Sequence, residues 1–151
     1  MFTKIILLSM VIRAFEGKPF YWILAWPGTV VHESLHYIVG LIMGARPSQI
    51  SVVPEQVAAN SEFRTLGYVA FTNITWFNAI PVAMAPLLAM PVLWMFTDPN
   101  MGWIELAVLA SVAAQLWPSR ADWSIAFSKP AGLLFWVGLP ALYVLKTHGV
   151  I

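Results

Sequence analysis

The sequence predicts an all-α, multi-pass membrane protein with about four to five transmembrane helices and a short β-hairpin or re-entrant segment at about residues 45–77. Three observations predict it. Hydrophobic residues make up 60% of the 151-residue chain. Charged residues make up 10%, where a soluble domain carries about 25%. Apolar runs recur between short polar junctions, and a bilayer core about 30 Å thick takes roughly 20 helical residues.

The elements follow in chain order. Residues 2–15, with the apolar run IILLSMVI after Lys4, are the weakest helix candidate. Arg13, Glu16 and Lys18 follow without a small-residue cleavage site, which predicts a retained helix rather than a removed signal. Residues 21–44, YWILAWPGTVVHESLHYIVGLIMG, have full spanning length, as do residues 78–96, NAIPVAMAPLLAMPVLWMF. Pro81, Pro86 and Pro91 in the second of these predict kinks. Residues 102–117 are short and are expected to continue past Pro118 into SRADWSIAF. Residues 131–145 are also short and predict tilt, local thinning or extension at the ends. Trp76 and Trp94 flank one span and Trp103 and Trp117 the next, as indoles at the headgroup level do. The whole chain, 1–151, reads as one domain.

Residues 45–77 differ in kind. Pro47 and Pro54 discourage helix, and QISVV and LGYVAFTNITW are alternating or β-branched. Non-helical backbone at membrane depth survives only against protein or a wet cavity, so this segment is expected to cover something. In a five-span arrangement Lys4, Arg46, Arg64, Arg120 and Lys129 share one side, which predicts a cytoplasmic N-terminus and a place in the cell membrane. The formal net charge is +1 and no basic run occurs, so no nucleic-acid partner is expected. With no cysteine, disulfides, thiolate metal sites and a cysteine nucleophile are excluded. Gly40 and Gly44 form G-x-x-x-G, which predicts close helix packing within the bundle or between subunits of a homo-oligomer.

The chemistry concentrates in GTVVHESLHYIVGLIMG. His32, Glu33 and His36 form H-E-x-x-H, and on a helix both imidazoles reach one metal. Glu33 lies next to that face, placed to serve as general base without being a ligand. A charged group inside a span costs about 2.5–3.5 kcal/mol, which favours a functional reading over helix glue or pairing with Arg46 or Arg120. A hydrolytic zinc takes three protein ligands and a water. By elimination Asp122, after the helix break at Pro118, is the expected third ligand, with Glu55 and Glu62 as alternatives and an N-cap or an Asp122–Arg120 pair as the structural reading. Asn73 and Asn78 are weaker candidates for binding substrate backbone, against simple turn or cap roles.

The chain resembles the intramembrane zinc metalloproteases of the site-2 protease type, particularly their small bacterial members. The resemblance rests on HESLH in an early span, FNAIPVAMAPLL in a later one and PSRAD after a third. It implies Zn²⁺ held by His32, His36 and Asp122, with water activated by Glu33. It also implies a β-structured region like 45–77 after the first motif helix, and membrane-spanning or membrane-associated peptide substrates. The family's Asn-Pro…Asp-Gly pattern is absent, and SRAD lacks the glycine. The alternative is a non-catalytic, metal-binding pseudo-protease that holds a partner. A transporter using His32 and Glu33 as a proton relay is a third class.

Overall fold

The computed structural model describes residues 2–18, 20–56 and 64–149, and the protein is mostly helical. Helix α1 (Phe2–Ala14) leads into the long helix α2 (Tyr21–Ile42). Gly44 and Arg46 then take left-handed backbone, at φ 69° and 54°, and turn the chain into strand β1 (Pro47–Ser51). Strands β2 (Glu55–Gln56), β3 (Arg64–Thr65) and β4 (Tyr68–Phe71) complete two antiparallel pairs, β1 with β4 and β2 with β3. The nested order is that of a single ribbon, with a register irregularity between Pro47 and Gln49. The strands expected in 45–77 are therefore present, apart from 57–63, which lie outside the described residues.

The apolar run at 78–96 is interrupted. It forms α3 (Ala79–Ala83), a 3₁₀ turn (Ala85–Leu88) and α4 (Ala89–Met95). Pro81, Pro86 and Pro91 lack the N–H that a continuous ladder needs. Helix α5 (Trp103–Ala114) also ends early. It does not continue past Pro118; α6 (Arg120–Phe127) is a separate helix with its own cap at Ser119. Helix α7 (Pro130–Leu133), a π-helical stretch (Leu134–Gly138) and α8 (Leu139–Thr147) run on as one helical segment.

Among the described residues one helix, Pro130–Thr147, is long and apolar enough to cross a membrane by length and composition. The expected four to five spans are thus not shown by helix length. The physical reasons are local. Prolines cut the run at 78–96, α5 has 12 residues, and the His32, Glu33 and His36 side chains dilute the hydropathy of α2.

The core that positions the site lies between α1, α2 and α5. Ile5 and Ile12 of α1, Tyr21 and Ala25 of α2, and Leu106, Ala110 and Ala114 of α5 form one buried cluster. Small residues let α2 and α5 meet closely. A Cβ at Gly28 would collide with the Ser111 carbonyl, and the Gly28 N–H donates to Ser111 Oγ at 3.0 Å. The G-x-x-x-G expectation resolves differently. Gly40 receives the Phe71 ring of β4 rather than another helix, and Gly44 serves the left-handed turn after α2. The buried face of α2 is Tyr21, Ala25, Gly28, Thr29, His32, Glu33, His36 and Gly40. The polar stripe therefore points inward. Outward stand Leu7, Met10, Ile23, Leu41, Ile42, Met95, Ile104 and Leu134, all exposed.

Candidate metal centre and the cavity beside it

Helix geometry places His32 and His36 one turn apart on the inward face of α2, and their Nε2 atoms are 3.1 Å apart. Asp122 comes from the far end of the chain. Pro118 ends the α5 segment, Ser119 starts α6, and Asp122 sits in the first turn of that helix. Its Oδ1 lies 3.1 Å from His36 Nε2 and its Oδ2 3.5 Å from His32 Nε2. The three residues form a buried His-His-Asp group that can hold a metal ion, exposed by only 8%, 4% and 7% for His32, His36 and Asp122.

The outer nitrogens of both rings are fixed by backbone. His32 Nδ1 lies 2.6 Å from the Gln115 carbonyl, and His36 Nδ1 lies 2.8 Å from the Val82 carbonyl. A carbonyl only accepts, so each Nδ1 carries the proton and donates it. Each neutral ring then presents a lone pair at Nε2, the tautomer a metal requires. With both rings neutral, two nitrogen lone pairs and a carboxylate face one another at these distances, and a metal ion or a shared proton among them relieves the repulsion. The Gln115 carbonyl is free to serve because it belongs to the C-terminal end of α5, where helical carbonyls lose their intrahelical partners.

The carboxylate is oriented just as closely. Asp122 Oδ2 accepts from the Ser119 N–H at 2.6 Å, and Ser119 Oγ accepts from the Asp122 N–H at 3.2 Å. This is a reciprocal capping box. The cap and the candidate ligand, alternatives from sequence alone, are the same carboxylate here.

Glu33 is 7% exposed and outside the trio. It lines a cavity of about 550 Å³ together with Thr29, His32, Leu66, Gly67 and Gln115. Among the described residues neither Arg46 nor Arg120 makes an ion pair with it. The ribbon lies directly over this point. A Cβ built on Gly67 would stand 2.9 Å from Glu33 Cγ, 2.8 Å from Thr29 Cγ2 and 2.8 Å from the Ser51 carbonyl. The segment expected to cover something covers Glu33.

The other sequence candidates separate from the group. Glu55 is exposed and accepts from Ser51 Oγ at 2.9 Å, away from the histidines. Glu62 lies outside the described residues. Asn73 donates its amide to the Gly44 carbonyl at 2.9 Å. Asn78, 2% exposed, donates to the Asn73 and Met43 carbonyls and accepts from the Thr75 N–H. Both amides brace the loop before α3 against the end of α2, and neither lines the cavity beside Glu33. Asp98 and Glu105 accept from nearby backbone N–H groups.

Residues that sequence reasoning missed are Gln115, Val82 and Ser119. The first two act through their carbonyls, which leave no trace in side-chain type. Ser119 did leave one, because S-x-x-D ahead of an apolar run is a capping signature.

Fold and site together define a helical protein with a buried His-His-Asp group suited to a metal ion. No protein-family model, curated protein or solved structure matches the chain.

Proposed function

We propose that the chain is a zinc-dependent intramembrane endopeptidase of the site-2 protease type, a multi-pass protein of the cell membrane. It hydrolyses peptide bonds of membrane-spanning or membrane-associated substrates. The observation that carries the reading is the convergence of two carbonyl-fixed histidines on one capped aspartate. One ligand atom from each lies within 4.8 Å of the others, with nearest contacts of 3.1–3.5 Å that use both carboxylate oxygens. Ligands around a tetrahedral zinc, bonded at about 2.0–2.2 Å, stand roughly 3.4 Å from one another. His32, His36 and Asp122 would hold the ion.

Zinc bound there supplies a Lewis acid that acidifies a water and polarises a peptide carbonyl. The chain's own residues do the rest. The Gln115 and Val82 carbonyls keep the protons of His32 and His36 on Nδ1, so both Nε2 lone pairs face the position the ion would take. Glu33 takes that proton from the attacking water onto its carboxylate and delivers it to the leaving amine. Gly67, lacking a side chain, leaves Glu33 room beneath the ribbon, and burial limits the bulk water that reaches it.

The distribution of polarity supports the membrane setting. Ser9, Thr29, His32, Glu33, His36, Asn78, Ser111 and Asp122 are buried, while Trp22, Trp26, Trp94 and Trp103 and a broad aliphatic surface are exposed. Apolar patches on soluble monomers rarely exceed a few hundred Å². Lipid would solvate this surface, and the strands pack on α2 as non-helical backbone must at membrane depth.

The test compares zinc content and cleavage of a membrane-peptide substrate for wild type and Glu33→Gln. The variant keeps its zinc and loses turnover. Cleavage by Glu33→Gln at the wild-type rate rules the mechanism out. The second reading, a non-catalytic metal-binding partner module, is favoured by SRAD lacking the family's glycine. It predicts that Glu33→Gln leaves cellular function intact.

A further inference from the structure

We propose that the cavity beside Glu33 selects substrates carrying a carboxylate-bearing juxtamembrane segment, held by Arg13 and Arg120 at its rim. The inference rests on the protease reading and names the substrate class of that same site. The cavity runs from His32 and Glu33 to Arg13 near the end of α1 and Arg120 at the start of α6. Both arginines are exposed, and among the described residues neither makes an ion pair. Glu16 shares the rim, so its charged groups are two cations and one anion, with Glu33 deeper in.

A guanidinium is a fixed fork of donors that fits a carboxylate, and two that make no ion pair among the described residues favour an anion arriving from outside. Aromatic rings share the lining with the arginines and Glu33. Trp117 and Trp123 stand with ring centroids 6.2 Å apart, and both line the cavity. Indoles suit the boundary where an apolar segment meets water. A bound chain would lay its apolar part on these rings and extend its polar end to the arginines. Spans flanked by lysine or arginine would meet like charge here. The rim therefore discriminates by the charge next to the span, independently of the scissile bond.

The experiment uses zinc-loaded Glu33→Gln protein in nanodiscs of neutral lipid. Three tryptophan-free peptides share one apolar segment and differ in the flank, which is aspartate, asparagine or lysine. Binding is read from the intrinsic tryptophan fluorescence of the protein. The aspartate-flanked peptide binds about tenfold tighter than the asparagine one, and the lysine peptide binds weakest. Arg13→Gln and Arg120→Gln each reduce that preference with zinc content unchanged.

Equal binding of the three peptides, no binding, or a preference that survives both substitutions overturns the proposal. So does a preference that vanishes when phosphatidylglycerol replaces the neutral lipid, which assigns the rim to headgroups. Zinc content and wild-type cleavage of the asparagine-flanked peptide report separately on the protease reading.

Discussion

His36 Nε2 lies 3.1 Å from Oδ1 of Asp122, joining the long helix α2 to the first turn of α6. The other nitrogen of that imidazole donates to the Val82 carbonyl at 2.8 Å, and the other oxygen of that carboxylate accepts from the Ser119 N–H at 2.6 Å. Each ligand is thus held from behind by backbone while its reactive atom faces the shared point. The account turns on this arrangement, and four consequences can be measured.

Ser119→Ala removes the hydroxyl that caps α6 and loosens the box that aims Asp122. Loss of an N-cap costs about 1 kcal/mol. Loss of an outer-shell partner lowers metal affinity about 10- to 100-fold. Ser119→Thr retains the acceptor and restores affinity. Competition with a zinc chelator measures both variants. Equal affinity for Ser119→Ala and wild type removes the capping box from the account.

Gly28→Val forces α2 away from α5, because even a Cβ there meets the Ser111 carbonyl. Overpacking of this kind costs about 1–3 kcal/mol. The same interface brings the Gln115 carbonyl onto His32, so zinc affinity falls together with the thermal midpoint in detergent. A drop in the midpoint with unchanged affinity would show that the helix contact does not set the histidine.

Gly67→Val tests the ribbon over the base. The added side chain meets Glu33, Thr29 and the Ser51 carbonyl, and that carbonyl is backbone that yields only if the ribbon lifts. Cleavage falls while zinc content is unchanged, because the three atoms nearest this position belong to Ser51, Thr29 and Glu33. Wild-type turnover in Gly67→Val would separate the ribbon from the chemistry.

Much of the site was legible in the sequence, for physical reasons that can be named. H-E-x-x-H fixes a shared face because helical spacing leaves no alternative for positions four apart. Asp122 could be reached by elimination because carboxylates are few in an apolar chain. The amides of Asn73 and Asn78 donate to the Gly44, Met43 and Asn73 carbonyls, contacts that a polar side chain near a turn makes and that sequence does not specify. The histidine-fixing carbonyls of Gln115 and Val82 were hidden, since every residue has one and only the tertiary fold selects which. Helix lengths were overread at 78–96 and 102–117. There the apolar composition suggested continuity, and proline decided the breaks.

The central claim is the metal centre, and the most direct measurement is the zinc content of protein purified from membranes without added chelator. One zinc per chain is expected for wild type, falling by at least tenfold in affinity for Asp122→Ala and for His36→Ala, while Glu33→Gln retains it. Wild-type protein that contains no zinc, and takes up none on reconstitution, would contradict the account.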